Sequence, residues 1–358
     1  MNARENFLAL LKRQGYAYHP VEFQLCPSLV ETFKTKTDSN LVYQKYFKMP
    51  WEYVSDGIVP EIDKQLYRMY YNFELKEGTQ IDLWGVAHEP GSEAAMHMTY
   101  MRHPLKDLTT LEELSAYPYP DFLSADYSHQ KAECEAIHAK GLVALGAMQV
   151  TIWETAWYLR SMEQLMMDML TDAEKAAWVI DKVLEASIYR AQQFARAGCD
   201  ILFFGDDIGM QSSIMMSEDM YVEWFKPRLK RLIDEVKAIN PDILIFYHSC
   251  GYVTPFIPHL IEAGVNVLNP VQPECMDFEE LHRLYGDRLS FHGTIGTQTT
   301  MPFGTPEEVK AMVRKNLTIA GKKGGLFCAP THLLEPEVPW ENILAYIEAC
   351  NEFDPSQL

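Results

Sequence analysis

From about residue 141 onward the chain alternates short apolar runs with segments of helical spacing, and this alternation most constrains its fold. "GLVALGAMQV", "DILFFGDD", "DILIFYHSC", "VNVLNPV", "RLSFHGTI" and "GGLFCAPTH" read as strands. Each is followed by a stretch whose apolar residues recur at three- and four-residue intervals. The strands are apolar on both faces, as in a parallel sheet covered by helices. Thr171–Glu174 and Thr305–Glu308 are capping-box patterns that predict helix starts, the second with Pro306 at the first helical position. Such a series predicts an α/β fold. Adding one or two strands from the less regular first 140 residues gives a (β/α)8 TIM barrel with an N-terminal elaboration, organised as a single domain over 1–358. "YHPVEFQL" is a candidate early strand, and "GTQIDLWGVAHE" with "AMHMTYMRHPL" reads as a strand pair or insertion. An open doubly wound sheet is the alternative fold, but no GxGxxG follows the first strand.

Charge narrows the partners. The chain carries 31 basic against 50 acidic residues, a net of −19, which disfavours nucleic acid and anionic lipid. The N-terminal segment has charges on both sides of its apolar positions and does not read as a signal peptide. No apolar run approaches the roughly 18 residues of a membrane span. A cytoplasmic protein is expected, with its seven scattered cysteines reduced.

In a barrel the functional face lies at the C-terminal ends of the strands. Those positions hold Glu154, Asp206, Asp207, Gln211, His248, Cys250, Asn269, Gln272, His292 and His332. Six successive strands thus deliver ionisable or amide groups to one mouth. Residues i and i+2 on an extended segment face the same way, so His248 and Cys250 can aim a nitrogen and a sulfur at one point. A zinc site needs a third ligand from elsewhere, and His332 and Cys328 are the candidates. A His-x-Cys is a frequent accident on its own, and Asp206-Asp207 equally reads as a helix cap. The Met-rich "SMEQLMMDML" reads as helix packing.

The segments "GDDIGMQSSIMMSEDMYVEWFKPRLKRLID", "HSCGYVTPFIPHLIEAGVNVLNPVQP", "FHGTIGTQTTMPFGTPEEV" and "APTHLLEPEVPWENI" resemble the uroporphyrinogen decarboxylase-like superfamily. They are most similar to its cobalamin-dependent methyltransferase branch, over roughly residues 140–350. The resemblance implies a (β/α)8 barrel with its site at the strand C-termini. It also implies zinc bound by a His-x-Cys and a later Cys, and a corrinoid carried by a partner protein. His248 and Cys250 match the first pair, while His332 stands where the later Cys is expected. Gln272 stands where the branch has an acidic residue. The Arg-Gln-Ala-Gly-Arg segment of true uroporphyrinogen decarboxylases has no counterpart here.

The expected activity is therefore zinc-dependent methyl transfer between a small methyl donor or acceptor and a corrinoid-binding protein. His248, Cys250 and His332 would hold the metal, with Cys328 the alternative third ligand. Asp207 and Glu154 would act on the reacting groups. Asp206, Gln211, Asn269, Gln272 and His292 would shape the substrate pocket. The alternatives are a metal-free decarboxylase and a non-catalytic barrel that binds a corrinoid or small ligand.

Overall fold

The computed structural model describes residues 1–91 and 99–358. Ten strands occur among them: β1 (Trp51–Val54), β2 (Gln80–Ile81), β3 (Ala87–Pro90), β4 (Thr99–Arg102), β5 (Val143–Val150), β6 (Ile201–Gly205), β7 (Leu244–His248), β8 (Val267–Val271), β9 (Ser290–Ile295) and β10 (Leu326–Pro330). Seven of them form one parallel sheet in the order β1-β5-β6-β7-β8-β9-β10. The six later strands are the six apolar runs of the sequence. β2, β3 and β4 form a separate antiparallel sheet. This is the expected insertion, although residues 95–98, the start of the second predicted strand, lie outside the described residues.

The sheet is curled, with helices outside and apolar side chains inside. Leu145, Phe246, Phe327 and Trp51 meet in an inner cluster to which the N-terminal helix Ala3–Leu11 adds Phe7, Leu10 and Leu11. The outer faces of the strands pack on the helices in a second, larger cluster. Two-sided burial is why the strands read as continuous apolar runs rather than alternating ones. The N-terminal helix closes the bottom: Gly325 N–H donates to the Leu10 carbonyl, and Ser290 Oγ to that of Leu11.

The expectation of a strand at "YHPVEFQL" is corrected. That segment makes a single parallel bridge, Leu25 to Leu334, and β1 at "WEYV" takes the edge of the sheet instead. The segment still runs along the β10 edge. Cys328 N–H donates to His19 Nε2, and Leu334 N–H donates to the Gln24 carbonyl. Capping follows the sequence at Thr305, whose hydroxyl and Glu308 form the predicted box. At the other predicted box the cap is Asp172, because Thr171 still belongs to the preceding helix.

Candidate active site

All the polar residues singled out at strand ends lie toward one end of the sheet, but they have different tasks. At the centre, one ligand atom each of Asp207, His248 and Cys250 lies within 4.8 Å of the others. His248 is the last residue of β7, and Cys250 follows two residues later. Asp207 comes from the loop after β6 and accepts the Cys250 N–H at 2.7 Å. His248 Nε2 stands 3.5 Å from Asp207 Oδ1 and 3.5 Å from Cys250 Sγ.

A close approach of backbones makes this possible. A Cβ at Gly205 would stand 2.0 Å from the His248 carbonyl oxygen, so β6 and β7 meet there only because position 205 lacks a side chain. Gly251 takes φ +82°, turning the chain sharply after Cys250, and its N–H donates to Gln272 Oε1.

A buried hydrogen-bond series fixes the tautomer of His248. Glu22 Oε2 accepts from His292 Nε2 at 3.1 Å. His292 Nδ1 meets the Asn269 amide nitrogen, which donates to it. The Asn269 Oδ1 then accepts the proton of His248 Nδ1 at 2.5 Å. His248 Nε2 is left with its lone pair, aimed at Asp207 and Cys250. Burial holds the His248 pKa below its ordinary value, which keeps the ring neutral, and burial pushes the Cys250 thiol well up.

Glu154 sits beside the cluster. Its carboxyl accepts from Tyr158 and from the Asp207 N–H, each at 2.8 Å. Burial, with Asp206 and Asp207 adding to it, pushes its pKa up to about 8, so it retains a proton near neutral pH. Asp206 points elsewhere. It accepts from the N–H groups of Thr151, Ile152 and Glu154 and from the Thr151 hydroxyl, tying down the start of the helix Trp153–Arg160. Burial lifts its pKa to about 6 despite these donors. Gln211 is exposed and pairs with Gln298 across two surface loops. Gln272 supports Gly251, and His292 and Asn269 line the cavity floor.

Neither expected third ligand joins the compact group. His332 is exposed and lines the same cavity as His248. Cys328 is fully buried on β10 against Thr294, and burial pushes its thiol up to about 12. The residue that completes the group is Asp207.

A cavity of about 850 Å³ beside the cluster shares Glu22, Trp51, Tyr53, Phe203 and His248 with a smaller one of about 170 Å³, the floor, which reaches Leu145 and Phe246 of the inner cluster. Sequence reasoning missed Glu22, Tyr53 and Arg190, which line it. Glu22 was detectable in principle, as a lone acid inside the apolar "HPVEFQL". Arg190 comes from the middle of a long helix, Ala173–Ala197, and nothing in its spacing marks it.

The family model for uroporphyrinogen decarboxylase (URO-D) matches residues 80–353. The chain belongs to the uroporphyrinogen decarboxylase family. Within it, the chain is 26% identical to a methylated-thiol–coenzyme M methyltransferase of Methanosarcina mazei over 217 residues, 59% of this chain and 54% of that one. It is 21% identical to a uroporphyrinogen decarboxylase of Pseudomonas fluorescens over 257 residues, 69% of this chain and 70% of that one. The chain thus spans about half the length of the methyltransferase that it matches. A solved methyltransferase structure from Methanosarcina mazei superposes with a TM-score of 0.66 at 20% identity, covering 99% of both chains, and so shares the fold. Among the described residues no helix is long and apolar enough to cross a membrane.

Proposed function

We propose that this protein is a methyltransferase that moves a methyl group between a small molecule and a corrinoid on a partner protein, using zinc held by Asp207, His248 and Cys250. The observation that carries the reading is the convergence of these three donors with the His248 lone pair already directed inward. The residues fit a divalent ion. Asp207 and a deprotonated Cys250 would together offset its charge, and burial disfavours that thiolate without a cation beside it. His332, which lines the same cavity as His248, would be a further ligand. In the finer fold, residues 19–25 occupy the eighth place of a (β/α)8 barrel. Likeness to the methylated-thiol methyltransferase supports methyl transfer.

When bound, zinc polarises an oxygen or lowers the pKa of a thiol. The chain itself orients and protonates. Glu154 holds a proton near neutral pH at the edge of the cluster, where an oxygen leaving group would take it up. Asn269 and His292 hold the His248 ring. The decarboxylase reading asks for cationic groups facing an anionic tetrapyrrole. Arg190 is the one Arg or Lys lining the cavity among the described residues, and Asp56 already binds it at 2.5 Å.

Metal content, measured by inductively coupled plasma mass spectrometry on protein purified without chelator, tests the proposal. Near-stoichiometric zinc is expected in wild type, with strong loss in Cys250→Ala, His248→Ala and Asp207→Ala and partial loss in His332→Ala. Methyl transfer to cob(I)alamin from a panel of methyl ethers, methylated thiols and methylamines should fall with the metal. Metal-free wild type, or full zinc in all four variants, overturns the proposed centre. Tight ligand binding with no turnover of any panel member would favour the non-catalytic reading.

A further inference from the structure

We infer that the floor of the cavity is built to hold a small methylated ammonium cation, so that the substrate class is cationic rather than anionic. This deepens the methyl-transfer reading and rests on it. The floor has an aromatic wall: Trp51, Tyr53, Phe203 and Phe246, from β1, β6 and β7, all line it. Ring faces attract a desolvated cation, and they offer nothing to a carboxylate or sulfonate. At the bottom sits Glu22, 6% exposed. It spends Oε2 on His292, and Oε1 makes no hydrogen bond to any described residue. Through Nδ1 the same His292 ring meets the Asn269 amide nitrogen.

The remaining charges balance locally. Arg190 is bound by Asp56, and Asp207 with Cys250 would offset a divalent ion. Glu22 is the one Asp or Glu lining the floor among the described residues, and it stands beside the aromatic wall. A ligand cation seated there would meet both ring faces and a carboxyl oxygen that has no hydrogen-bond donor among the described residues. The floor, about 170 Å³, suits a head group of a few heavy atoms. The wider cavity then passes His248, where an oxygen on the ligand's short arm would meet the metal centre. If a methyl leaves such a head, the C–N bond breaks and its electron pair stays on nitrogen. The departing amine is neutral, and the methyl carbon takes its new pair from the partner's reduced corrinoid.

The test uses three probes of similar shape: choline, its neutral carbon isostere 3,3-dimethylbutan-1-ol, and the anion 3,3-dimethylbutanoate. Their binding to the zinc-loaded full chain is measured by isothermal titration calorimetry at neutral pH. Choline should bind at least tenfold more tightly than the alcohol, and the anion most weakly. Glu22→Gln, which keeps an acceptor for His292, should reduce the choline-to-alcohol ratio to near one. Phe203→Leu should reduce it several-fold, and serves if the Glu22 variant fails to fold by circular dichroism. Equal binding of choline and alcohol, tighter binding of the anion, no detectable choline binding, or an unchanged ratio in both variants overturns the inference. No corrinoid or turnover enters this readout. Failure of methyl transfer and failure of cation recognition are therefore told apart.

Discussion

At the scale of single residues, the site depends on atoms that touch no ligand. Asn269 is the clearest case. Its oxygen fixes the proton on His248 Nδ1, and its nitrogen reaches His292. An amide in that place decides which imidazole nitrogen is free. Partners of this kind typically change metal affinity by about 10–100-fold when removed. Asn269→Ala should therefore weaken zinc binding within that range, as read by competition with a chromophoric chelator. Asn269→Asp should restore most of the affinity, because a carboxylate still accepts from Nδ1. Equal affinity in wild type and Asn269→Ala would show that His248 is oriented by other means. The pair His248 and Cys250 was legible in the sequence because two positions on an extended segment share a face. Asp207 was legible as a polar residue at a strand end, but not as the third donor. Beyond β6 the chain leaves the strand, the two-residue parity ends, and only the fold shows that Asp206 turns to a helix start while Asp207 turns to Cys250.

At the scale of elements, the six later strand–helix units were readable because burial on both sheet faces leaves continuous apolar runs. β1 was not, since four residues, "WEYV", carry too little pattern to stand out. Two of the helical stretches are broken: at Ser161, with φ +69°, and before Pro227, whose ring cannot follow a preceding helical turn without a kink. The β6–β7 junction is where an element most directly controls the site. Gly205→Ala would press a methyl into the His248 carbonyl. Overpacking of this kind costs about 1–3 kcal/mol, and the strands can relieve it only by separating beneath His248. Both the urea midpoint and the zinc content should fall. Thr305→Ala removes the cap of the helix Pro306–Ala320, far from the cluster, and should cost about 1 kcal/mol with zinc content unchanged. If Gly205→Ala keeps full zinc while losing stability, the junction supports the fold without setting the site.

At the scale of the whole molecule, the weak point is the seam. Six neighbouring pairs in the curled sheet are joined by parallel ladders, two of them with a register shift, whereas the β10 edge is met by the extended segment 19–25 through scattered contacts. Tyr346 contributes its hydroxyl to the carbonyls of Glu22 and Cys328, and accepts the Glu22 N–H. His19 contributes a lone pair on Nε2 to the Cys328 N–H at 3.1 Å. That last contact exists only while the ring is neutral. Burial lowers the His19 pKa from 6.5 to about 4. Above pH 6.5 the ring is neutral in both folded and unfolded chains, and the seam keeps its full strength. As pH falls below 6.5, the unfolded chain takes up a proton that the folded one refuses until about pH 4. Stability attributable to His19 is therefore lost across that window, by about 3 kcal/mol in all at roughly 1.4 kcal/mol per pH unit. Carboxylates titrate in the same range, so the informative quantity is a difference. His19→Gln offers a neutral acceptor of similar reach and should flatten the fall in urea-unfolding free energy between pH 7 and pH 4 by most of that amount. If wild type and His19→Gln lose stability in parallel, the seam is not what acid opens first. If they diverge as expected, the segment 19–25 is held to the β10 edge by a contact that acid releases, while the ladders of the six strand pairs stay intact.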